Sequence, residues 1–168
     1  MSIRIMCSWL TALLFSVNLF AAEELDFTGT WMFNEEKSVL DDMGMAFIPY
    51  KLVISKRDSE LTVQKTFTMQ SGEDMVIDEK MTLDGKECKS EIWNSPRITT
   101  ANWSATGDTL NVEMRITFNQ DGNINEMLLQ EAWSMQDEGK LIIINHFSSS
   151  TWGERKITMA YNKQEVKK

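Results

Sequence analysis

From Leu110 to Phe118 the chain changes character at every residue. Leu110, Val112, Met114, Ile116 and Phe118 alternate with Asn111, Glu113, Arg115 and Thr117. Successive side chains of an extended strand point to opposite sides, so the five apolar groups share one face. On a helix they would be spread around the circumference, which excludes an amphipathic helix here. Leu61, Val63, Phe67 and Met69 alternate in the same way with Thr62, Gln64, Thr66 and Thr68. Met75–Leu83, Met127–Met135, Leu141–Phe147 and Ile157–Tyr161 continue the pattern.

Turn chemistry separates these runs. Asp58-Ser59, Ser71-Gly72, Asn94-Ser95-Pro96, Gly107-Asp108, Asp121-Gly122 and Glu138-Gly139 fall between them. Asp84-Gly85 predicts a tight hairpin joining Met75–Leu83 to Lys86–Trp93, because such turns need residues that tolerate positive φ. Counting segments gives about ten strands in sequence, the spacing of an all-β meander barrel or sandwich. No linker, repeat or low-complexity stretch divides the chain, so one domain is expected. One segment breaks the pattern. Asn34 as N-cap, Glu35 and Glu36 in a first turn, and Val39, Leu40 and Met43 at helical spacing predict a short helix over Asn34–Ala46. Gly44 and Pro49 would end it.

The N-terminus has the layout of a secretory signal peptide. Arg4 precedes a largely apolar Leu10–Phe20, and Ala21-Ala22 precede Glu23 and Glu24. The apolar run falls short of the about 20 residues a spanning helix needs. Residues 1–22 are therefore expected to be removed, leaving a domain at 23–168 in the periplasm or outside the cell. Cys7 lies ahead of the apolar run and cannot be a lipoprotein attachment site. Cys88 is then the one remaining thiol, without an intramolecular partner.

The formal charge of -8 argues against nucleic acid and anionic membrane surfaces as partners, and no stable membrane anchor is expected. Twelve methionines in an exported chain raise the question of copper(I), with Met43 and Met45 beside Asp41 and Asp42 as the nearest cluster. The other methionines are scattered through the strands, where they act as adaptable core filler. His146 is the single histidine, too few for a His-based zinc site. No cofactor and no metal are expected. The chain has no Gly-x-Ser-x-Gly elbow, Gly-rich phosphate loop or metal-binding helix, and Ser148, Ser149 and Ser150 beside His146 read as loop material. It reads as a protein that is not an enzyme.

Phe27-Thr28-Gly29-Thr30-Trp31 resembles the first strand of the calycins, the lipocalins and fatty-acid-binding proteins. Gly29-Thr30-Trp31, Asn34, Lys37-Ser38, Asp84-Gly85-Lys86, Glu138-Gly139-Lys140 and Tyr161-Asn162-Lys163 together resemble exported bacterial lipocalin-like proteins of unknown function. Strand count and the early helical segment are similar to the fatty-acid-binding proteins in plan. The resemblance implies a single antiparallel meander β-barrel with an internal cavity. It also implies that Trp31 closes one end of the barrel against a basic side chain, Lys156 or Lys163. Fatty-acid-binding proteins commonly hold a carboxylate with Arg-x-Tyr near the end of the last strand. This chain has Met159-Ala160-Tyr161 there and lacks the guanidinium.

Three charges sit in apolar strand phases. Lys65 shares a face with Leu61, Val63 and Phe67, Glu79 with Met75, Ile77 and Met81, and Glu131 with Met127, Leu129 and Trp133. Facing inward, they would orient the polar part of a ligand or simply pair with one another. The candidate ligand-binding residues are Lys65, Phe67, Glu79, Trp103, Met114, Met127, Glu131, Trp133 and Tyr161, with Trp152 at the mouth. The expected activity is non-covalent sequestration or transport of a small hydrophobic or amphipathic ligand, and Lys65→Met should then spare the fold. The alternative is a barrel filled by its own Met and Trp side chains, acting as a periplasmic interaction or assembly factor.

Overall fold

A computed structural model describes residues 25–120 and 122–165. The expected signal peptide, with Cys7, and Asp121 of one expected turn lie outside the described residues. Ten strands follow one another: β1 (Gly29–Phe33), β2 (Lys51–Arg57), β3 (Glu60–Thr68), β4 (Asp74–Thr82), β5 (Cys88–Ile92), β6 (Ser95–Trp103), β7 (Leu110–Gln120), β8 (Asn123–Gln136), β9 (Leu141–Ser150) and β10 (Gly153–Lys163). All pairings are antiparallel, in the order β4-β3-β2-β1-β10-β9-β8-β7-β6-β5. Every pair of sequence neighbours except β4 and β5 is thus hydrogen-bonded, and β1 meets β10 where Trp31 faces Lys163 and Phe33 faces Tyr161.

The remaining seam lies between β4 and β5, which form no ladder. The hairpin expected at Asp84-Gly85 is therefore corrected: the turn exists, with Gly85 at φ 76°, but the strands it joins separate. Beyond the turn the chain is held by β6 instead. Asp84 bridges to Asn102, and the Gly85 N–H donates to the Ala101 carbonyl at 2.9 Å. The Arg97 guanidinium crosses the same seam, donating from Nη2 to the Asp78 carbonyl at 3.0 Å. The sheet closes as a barrel through these side contacts.

The helix expected over Asn34–Ala46 shrinks to one 3-10 turn, Glu35–Lys37. Asn34 caps it as expected, its Oδ1 accepting from the Lys37 N–H at 3.1 Å. Val39 then pairs with Thr158 of β10 through two backbone hydrogen bonds of 2.8 Å, which is incompatible with a continuing helix. Tertiary pairing overrides the local helical spacing here.

Inward residues follow the alternating phase. At one end Trp31, fully buried, donates from its indole N–H to the Phe27 carbonyl at 2.9 Å, and Lys163 Nζ sits 5.1 Å above its ring. Of the two lysines expected there, the fold selects Lys163. Phe27 stacks on Trp103 at 5.9 Å and meets Trp133 edge-on at 5.8 Å. Gly29 has φ 133°, a conformation that other residues rarely adopt, and a Cβ there would lie 3.0 Å from Lys163 Cε, closer than an ordinary contact. This end is packed solid.

Candidate ligand-binding site

Above the aromatic plug the barrel encloses a cavity of about 590 Å³. Leu52, Phe67, Ile77, Met114, Leu129 and Ile144 supply apolar wall from six strands. Met43, Phe47, Trp93, Phe118 and Trp152 ring the open end. Trp152 meets Phe118 edge-on at 5.9 Å, which places it at the mouth.

The polar part of the cavity spans the lumen. Lys65 on β3 and Glu79 on the adjacent β4 are diagonal neighbours, with Nζ 2.9 Å from Oε2. Lys65 Nζ also lies 3.8 Å from Oε1 of Glu131, which stands on β8 across the barrel. Arg97 on β6 places Nη1 3.5 Å from Glu79 Oε1, while its Nε donates to Ser90 Oγ at 2.9 Å. Geometrically the Lys65–Glu79 and Arg97–Glu79 contacts are ion pairs rather than aligned hydrogen bonds. Glu131 accepts from the Trp133 indole at 2.8 Å, and its Oε1 lies 3.1 Å from Nδ1 of His146, directly opposite on β9.

Burial alone would neutralise Glu131 and Lys65, but their mutual attraction wins. Burial opposes the charge on Glu131, yet Lys65 and the His146 and Trp133 hydrogen bonds pull its carboxyl down to about 2. Burial likewise disfavours the Lys65 ammonium, and Glu131 and Glu79 outweigh it, raising its pKa. Tyr161 is pushed well above the usual phenol range by burial and by the Glu131 charge. Its hydroxyl donates to the Pro49 carbonyl at 3.0 Å.

Seven of the nine residues singled out from the sequence line the cavity: Lys65, Phe67, Glu79, Met114, Met127, Glu131 and Tyr161. Trp103 and Trp133 do not. Their bulk fits the solid end around Phe27, where Trp133 is fully buried and supports Glu131 from below. Sequence reasoning missed Arg97 and gave His146 no role. The inward phase of β6 is Ser95, Arg97, Thr99 and Ala101, too polar to reveal itself by hydrophobic alternation. The run Leu141–Ile144 is apolar on both faces and hides the phase that aims His146 inward. Ser148–Ser150 belong to β9 rather than a loop, and Ser148 and Ser150 line the cavity. Among the described residues no three His, Cys, Asp or Glu side chains gather as a metal-binding group.

Ten meandering strands closed around a cavity define the calycin plan, in the ten-stranded form rather than the eight-stranded one. A solved structure of zebrafish ileal bile acid-binding protein complexed with cholic acid is similar, with TM-score 0.51 and 12% identity, covering 82% of this chain and 98% of that one. At that identity the likeness shows the fold. No family model matches the chain, and no curated protein matches it at a significant level.

Proposed function

We propose that this protein is an exported, non-catalytic carrier that holds one small hydrophobic or amphipathic molecule inside the barrel. The observation that carries this reading is the cavity: about 590 Å³, walled by apolar side chains, with a compact polar group at its floor. Cavities of this size and composition suit ligand binding. The fold neighbour is a binding protein bound to an amphipathic molecule, which supports the same class of ligand. Phe67, Met114 and Met127 supply apolar contact, and Lys65, Glu79, Glu131 and Tyr161 form the polar floor.

Glu79 and Glu131 are poor candidates for acid–base chemistry. Lys65 stands between them, and Glu131 is held ionised far below neutral pH. Export rests on the N-terminal sequence, and N-terminal sequencing of the secreted or periplasmic fraction should find the chain starting near Glu23. The carrier role is tested by native mass spectrometry of freshly purified protein, together with tryptophan fluorescence during titration with an uncharged hydrophobic dye. A co-purified small molecule or saturable quenching is expected. Ligand-free protein that also ignores the dye would favour a barrel acting through its outer surface.

A further inference from the structure

The charges inside the cavity add up to a constraint on what it can hold. Lys65 and Arg97 contribute two positive charges, Glu79 and Glu131 two negative ones, and none of these side chains is more than 9% exposed. With a neutral imidazole the sum is zero. Every cation already faces a carboxylate, and Arg97 also spends Nε on Ser90 and Nη2 on the Asp78 carbonyl. The Tyr161 hydroxyl proton is committed to the Pro49 carbonyl. At the mouth Arg155 is taken up by Asp41 and by the Gly44 and Ala46 carbonyls, and Glu154 carries the wrong sign for an anion. A buried anionic head group would therefore lack a counter-charge, and uncompensated burial of a charge is costly.

His146 adds direction. An ionised carboxylate can only accept, so its contact with Glu131 requires the proton on Nδ1. In the neutral ring Nε2 is then an acceptor, which a carboxylate ligand could not satisfy and a hydroxyl or amide could. Ser148 and Ser150, next along the same inward phase of β9, add hydroxyls that both donate and accept.

We propose that the cavity selects amphiphiles whose head group is uncharged and carries a hydrogen-bond donor, an alcohol or a primary amide, over the corresponding carboxylates. This rests on the carrier reading above and narrows it to a ligand class.

The test compares 1-decanol, decanamide and sodium decanoate, which share one alkyl length, by calorimetric titration of the full chain at about pH 8.5, above the ordinary imidazole range. The alcohol and the amide should bind at least about tenfold more tightly than decanoate. Glu131→Gln leaves one cation uncompensated and should raise decanoate affinity by about tenfold, erasing most of the preference. Glu79→Gln makes the same change from β4 and serves if Glu131→Gln fails to fold, and the wild-type ranking decides the matter without either. Decanoate binding as tightly as the alcohol overturns the selectivity and leaves the carrier role standing. No saturable binding by any of the three removes both.

Discussion

Lys65 Nζ lies 2.9 Å from Glu79 and 3.8 Å from Glu131, so one ammonium joins carboxylates on opposite walls of the barrel. Removing it leaves Glu79 with Arg97 alone and Glu131 with only the Trp133 and His146 contacts. Breaking a buried pair from one side costs about 3–5 kcal/mol, because the surviving charge keeps its desolvation penalty. Lys65→Met should lose that much in urea denaturation, which replaces the sequence-based expectation of an intact fold. Adding Glu131→Gln to Lys65→Met should recover a good part of the loss, since Glu79 keeps Arg97 and Glu131 is the charge left without a cation. A single mutant within about 1 kcal/mol of wild type would mean the contact is solvated and idle.

Acid should weaken the fold through Glu131. Its folded pKa, about 2, lies below its ordinary 4.5, so its contribution is complete above about pH 4.5 and drains away as pH falls toward 2. The size is on the order of 3 kcal/mol. Lys65 works in the other direction: its raised pKa gives stability that is whole below 10.5 and lost at higher alkalinity. Urea midpoints measured from neutral pH to about pH 2 should fall over the acid window in wild type and fall less in Glu131→Gln. Parallel curves for the two proteins would assign the acid limb to other carboxylates.

How much of this was legible in the sequence depended on contrast. Glu79 and Glu131 stood out because their strand neighbours Ile77, Met81, Leu129 and Trp133 are apolar, and a charge there breaks a clear rhythm. Arg97 breaks no rhythm, since Ser95 and Thr99 flank it in phase, and two of its partners, the Asp78 carbonyl and Glu79, lie on a strand it does not pair with. Turn residues told where strands end but not which strands pair. Asp84-Gly85 has the composition of a hairpin, and only closure of the sheet shows that its strands flank the seam. The helical spacing of Val39, Leu40 and Met43 lost to the backbone hydrogen bonds between Val39 and Thr158, a long-range pairing that local pattern cannot encode.

Trp31 closes the solid end, and its replacement tests that end without touching the cavity. The side chain is fully buried, hydrogen-bonded to Phe27 and capped by Lys163. Trp31→Ala should destabilise by about 3–5 kcal/mol through lost burial and the void left behind. Trp31→Phe should cost less, keeping much of the ring area while losing the indole hydrogen bond. Equal stability of the alanine variant and wild type in denaturant titration would remove the plug role.

At the opposite end Arg155 governs the segment that borders the mouth. Its Nε and Nη2 hold both oxygens of Asp41 at 2.9 and 3.0 Å, Nη1 donates to the Ala46 carbonyl at 2.7 Å and Nη2 to the Gly44 carbonyl at 2.9 Å. These hydrogen bonds hold Asp41 ionised, its carboxyl below the usual range. One guanidinium thereby pins the stretch that carries Met43 and Phe47, both lining the cavity, and Phe47 itself sits at φ 61° and is 76% exposed. A lysine cannot reproduce this fork, whose planar donors match a carboxylate and two carbonyls together. Arg155→Lys and Asp41→Asn should therefore leave the barrel's unfolding transition nearly unchanged while raising protease cleavage between Asp41 and Phe47. Release of a bound hydrophobic dye, followed by stopped-flow fluorescence, should speed up several-fold in both variants. Faster cleavage without faster release would show that ligand leaves by another route, with the seam between β4 and β5, bridged by Arg97, the next place to probe.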